Sequence, residues 1–198
     1  MMNSTGEIND GVFEVHGGAN RAYPNIVSLG TYAAGGVAEG GSSHLTVNGG
    51  TFNSPDAYAF AVFASSILDY KGGDTTAKYF CVAGNGTNAG TITVNISGGS
   101  LCTTSGEDAA IYAPSAIDLN ITGGTVSGAS VLDIRMGGAN VSVEGNAKLI
   151  STYETVKPFT YKQSSGASVS DGSMFILNTN RYKNRGTGDA GEITFTLG

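Results

Sequence analysis

In 198 residues the chain has no tryptophan, four prolines, two cysteines and two histidines, and only 13% of it is charged. Each scarcity excludes something. Cys81 and Cys102 show no CxxC spacing and have no histidine nearby, so they suit neither a zinc site nor a disulfide framework and read as two small buried thiols. His16 and His44 stand apart, and neither a catalytic triad nor a histidine metal site follows from them. No 11-residue window keeps an apolar i, i+3, i+4, i+7 face free of Gly, Asn and β-branched residues, which removes helix as a main element. The start MMNSTGEIND lacks the basic-then-apolar pattern of a signal peptide. The most apolar run, AYAFAVFASSIL (57–68), is too short to span a bilayer. A protein of this kind working outside a cell would be exported by a signal beyond this sequence, by lysis, or within a particle.

Charge is scarce and unevenly spread. The net charge is −6, but six of the ten basic residues and only four of the sixteen acids follow residue 147. The tail is therefore +2 and the remainder −8. An acidic body argues against nucleic acid as a partner. The basic run NRYKNR (180–185) reads as a solvated loop.

What the chain does have is glycine, 31 residues of it, much of it in pairs. HLTVNGGTFN (44–53), VNISGGSLC (94–102) and IDLNITGGTVSG (117–128) repeat one phrase. Aligned on the second residue of each pair, the anchors are Gly50, Gly73, Gly99 and Gly124, then the degenerate positions Asn146, Gly172 and Gly198, at intervals of 22–26 residues. Three before the anchor stand Val47, Tyr70, Ile96, Ile121, Val143, Val169 and Phe195. Five before stand Leu45, Leu68, Val94, Leu119, Val141, Ala167 and Ile193. The column between them, from Thr46 and Asp69 to Ser168 and Thr194, is entirely polar.

Alternation with period two marks a strand with one buried face. Its return in the same phase every 22–26 residues means that strands stack on their repeats, as in a solenoid, rather than pair in local hairpins. Second strands follow the glycines in TFN (51–53), SLC (100–102) and TVS (125–127), and third strands in 57–64, 109–113 and 130–136. EINDGVFEV (7–15) is an earlier coil, whose distance from the next implies an insertion within 17–43. The expected fold is all-β: a single-stranded parallel β-helix of three short strands per coil and seven to eight coils, forming one domain over 1–198 with irregular stretches near 17–43 and 150–186. Both ends fall inside a coil, so the chain is expected to be part of a longer protein, or an oligomer stacked end to end through uncapped ends.

The [IV]x[IV]xGG[TS] corners, the inward aliphatic ladders and the outward Asn and Ser stacks resemble the pectin-lyase-like right-handed parallel β-helix superfamily. The stretch DAAIYAPSAIDLNITGGTVSGASVLDIRM (108–136) is similar to repeats of bacterial surface proteins and phage appendages. The resemblance implies a right-handed wind and a role as shaft or attachment module. Its enzymatic members act on polysaccharides with clustered aspartates, or with aspartate beside Arg or Lys and calcium, on an outer face.

Candidates for such chemistry are few. Asp69 and Asp118 are expected on one outward face two coils apart, and Asp133 with Arg135 on another strand as an exposed ion pair. Asp10, Asp74, Asp108, Asp171 and Asp189 sit beside glycine or turn residues, where Asp accepts backbone hydrogen bonds. No acid pair has the spacing of a glycosidase, and no stretch supplies the oxygens of a calcium site. GNGTNAG (84–90) lacks the following helix of a phosphate loop. A sugar platform would rest on tyrosines outside the core columns: Tyr23, Tyr32, Tyr153, Tyr161 and Tyr182. The sequence thus favours a non-catalytic structural or attachment module, extracellular, at a cell surface or on a virion, with a glycan or surface protein as partner and without cofactor, metal or membrane. The alternative is a polysaccharide lyase or glycoside hydrolase.

Overall fold

A computed structural model describes residues 3–17, 24–30, 41–84, 90–106, 108–114, 116–134, 139–151, 175–177 and 194–197. The first coil consists of β1 (Thr5–Ile8), β2 (Val12–Glu14) and β3 (Asn25–Leu29). The second is β4 (His44–Val47), β5 (Thr51–Ser54) and β6 (Tyr58–Val62), and the third β7 (Ile67–Tyr70), β8 (Asp74–Ala77) and β9 (Val82–Gly84). Next come β10 (Ile92–Ile96), β11 (Ser100–Thr103) and β12 (Ala109–Ala113), then β13 (Ile117–Ile121), β14 (Thr125–Gly128) and β15 (Ser130–Ile134). The sixth coil is β16 (Asn140–Val143), β17 (Lys148–Ser151) and β18 (Phe175–Leu177), and β19 (Thr194–Leu197) opens a seventh.

Every pairing is parallel and joins one coil to the next. The first strands of the coils form a seven-stranded sheet, and the second and third strands form six-stranded sheets. This is a parallel β-solenoid, and the period of the glycine pairs is its coil.

The columns read from sequence are rungs of the first sheet. Leu45, Leu68, Val94, Leu119 and Val141 stack in register, as do Val47, Tyr70, Ile96, Ile121 and Val143. All ten are buried. The second sheet contributes Phe52, Leu101 and Val126, and the third Phe60, Val82, Ile111 and Leu132, to the same core. Between them the rings of Phe13, Phe52, Phe60 and Tyr70 form a chain with centroids 4.9–5.9 Å apart. Burial of these apolar columns is the main stabilising term, since each large side chain contributes about 1.5–3 kcal/mol.

The corner glycines have a specific task. In successive coils the carbonyl of the second glycine accepts a backbone hydrogen bond from the residue that opens the strand after the next corner: Gly50 from Asp74, Gly73 from Ser100, Gly99 from Thr125 and Gly124 from Lys148, all at 2.8–2.9 Å. Holding the chain this close requires a left-handed turn, with φ of +76° at Gly124. A Cβ there would lie 2.7–2.8 Å from backbone atoms of Gly98 and Gly99 in the coil before. Only glycine meets both conditions.

The last coils depart from the sequence expectation. Phe195 pairs with Val141, and Leu197 with Val143, so the final repeat is shifted by two residues from the alignment that matched Phe195 to Val143. β19 pairs directly with β16, and the rung expected at Ala167–Val169 lies outside the described residues. The corner after Val143 also holds one more residue than the others, and the left-handed glycine there is Gly145 rather than a residue at Asn146. The two stretches expected to be irregular each supply a strand to the third sheet, β3 and β18.

Candidate functional site

The outward face of the first sheet carries a connected polar array. In β4 the inward positions are Leu45 and Val47, so His44 and Thr46 face outward, and the same alternation turns out Asp69 on β7, Asn95 on β10 and Asn120 on β13. His44 Nε2 donates to Asp69 Oδ2 at 2.7 Å, and Asn95 Nδ2 donates to Asp69 Oδ1 at 2.7 Å. Asn120 Nδ2 in turn donates to Asn95 Oδ1 at 2.8 Å. An ionised carboxylate only accepts, which fixes the imidazole proton on Nε2. Four consecutive coils are thereby linked through side chains.

Asp69 is the hub of this array. Its side chain is 21% exposed and that of His44 41%. Burial acts to raise the Asp69 carboxyl. The hydrogen bonds from Asn95 and His44, with electrostatic attraction to His44 and Lys71, outweigh burial and hold the carboxyl below its ordinary value.

Four other carboxylates follow the same pattern, each accepting from the coil ahead of it. Asn48 donates to Glu7, Asn53 to Glu14 at 3.0 Å, Ser100 to Asp74 at 2.7 Å and Asn140 to Asp118 at 2.7 Å. Asp74, a turn acceptor on the sequence reading, instead opens β8, whereas Asp10 does accept the backbone N–H of Gly11, at 2.8 Å.

Of the four acid-site candidates, Asp69 and Asp118 do share the outward face of the first sheet. They lie two rungs and two positions apart, which separates their Cα atoms by about 12 Å. Asp133 is elsewhere, on β15 in the third sheet, and the exposure expected for it is not found, since it is only 3% exposed. Every residue of β15 is buried, so this strand is covered on both faces. Arg135 lies outside the described residues, as do Tyr23, Tyr32, Tyr153, Tyr161 and Tyr182. Among the described residues no group of three His, Cys, Asp or Glu side chains is placed to hold a metal ion, and no helix is long and apolar enough to cross a membrane.

Two features escaped the sequence. His44 is not isolated: it meets Asp69 diagonally, one rung on and two positions along, a contact that face and register together could have indicated. His16 likewise lies 3.2 Å from Glu14 and 3.8 Å from Asp56. The second feature is an aromatic strip at the corner between the second and third sheets. Tyr58, Phe80 and Tyr112, from three successive coils, stack with centroids 5.2 and 4.6 Å apart. Tyr79 meets Tyr58 edge-on at 5.8 Å, and Lys78 Nζ lies 5.5 Å from the Tyr79 centroid. The cysteines are free: Cys81 is buried, which with the neighbouring Cys102 pushes its thiol up, and Cys102 is half-buried.

Compared with known proteins, the chain matches no family model, no curated protein and no solved structure. The class that the fold defines is the parallel β-solenoid.

Proposed function

We propose that the chain is a non-catalytic structural and attachment module of a cell-surface or virion appendage, acting outside the cell on a glycan or a surface protein. The observation that carries this reading is the continuity of the stack. Three parallel sheets run through successive coils over one core, and side-chain hydrogen bonds join coil to coil along the outer face. Such an object resists bending and presents polar groups at a fixed repeat of about 4.8 Å. The likeness of 108–136 to repeats of surface proteins and phage appendages, and with it a place in the pectin-lyase-like superfamily and a right-handed wind, belongs to the same proposal.

A second reading, a β-helix polysaccharide lyase or glycoside hydrolase, is favoured by one observation, the His44–Asp69 pair. A carboxylate that orients an imidazole on an exposed face is the arrangement of a general base. Against it, the Cα atoms of Asp69 and Asp118 lie about 12 Å apart, and each carboxylate already accepts from an asparagine of the coil ahead.

The test is a glycan-array screen of the intact chain, with the same panel assayed for release of reducing ends or unsaturated products. Binding without turnover supports the attachment reading. Product release that His44→Ala and Asp69→Asn abolish overturns it in favour of the enzyme.

A further inference from the structure

We draw no further inference here: the strongest candidate, the aromatic strip of Tyr58, Tyr79, Phe80 and Tyr112 at the corner between the second and third sheets, carries nothing because its rings are occupied by one another and by further contacts of the three tyrosines, and nothing in the structure shows what covers it.

Discussion

Replacing Gly124 by alanine puts a methyl group where three backbone atoms of the preceding coil already stand, 2.7–2.8 Å away. None of them belongs to a flexible side chain, so relief requires two rungs to move apart. The substitution also places a Cβ on a residue with φ of +76°. The left-handed conformation costs about 1–2 kcal/mol for an L-residue, and forced overpacking typically about 1–3 kcal/mol. Together they give about 2–5 kcal/mol. With an m-value of about 3 kcal/mol per M, the urea midpoint falls by roughly 0.7–1.7 M. Gly106 supplies the control, because a Cβ there meets nothing within 4 Å. Gly106→Ala should leave the unfolding free energy within about 0.5 kcal/mol of the parent. The reasoning is refuted if Gly124→Ala unfolds where the parent does, or if Gly106→Ala loses as much.

Three other perturbations probe separate parts of the structure. The Tyr70 hydroxyl is buried against Thr75 Oγ1 at 2.9 Å and the Ser100 carbonyl at 3.1 Å, so Tyr70→Phe leaves two groups short of a partner and should lower stability by about 1–3 kcal/mol in urea unfolding. Asp69 has its folded pKa lowered, so its contribution is present above the ordinary carboxyl value of 3.8 and is lost as pH falls through the lower folded value. Asp69→Asn should therefore be less stable than the parent at pH 7, and the gap should close on acidification below about pH 4; a gap independent of pH contradicts the assignment. Ala64 sits at φ +54°, where Gly90 in the next coil sits at +74°. Ala64→Gly relieves about 1–2 kcal/mol of strain against about 0.5–1 kcal/mol of added chain entropy, and calorimetry should show a small rise in Tm.

How far the sequence could be followed depended on what each region repeats. From Leu45 to Val143 the register was legible because alternating burial and a glycine pair coincide in each coil, and a shift of one residue would turn every apolar side chain outward. Past Val143 the pair decays, and period alone does not separate a shift of two, which keeps the same face inward. Phe195 was misplaced by that amount. The Asp133 environment was hidden for another reason. SVLDI is not an alternating run: it is a strand buried on both faces, and such strands do not announce which side carries the carboxylate. Alternation alone places the hub at Asp69 on the correct face, but joining it to His44 also needs the rung register, because the two belong to different columns and meet diagonally.

In-register stacking of the coils, on which every other statement rests, is tested most directly by cross-linking. Asn95 and Asn120 are paired rungs 25 residues apart in sequence. Parallel pairing puts their Cα atoms about 4.8 Å apart, within the range a disulfide bridges, whereas Asn95 and Thr122 are offset by two positions and about 8 Å apart. In a Cys102→Ser background, Asn95→Cys with Asn120→Cys should oxidise to an intramolecular disulfide, and Asn95→Cys with Thr122→Cys should remain reduced. Free thiols in the first pair, or equal oxidation of both, would contradict the solenoid register.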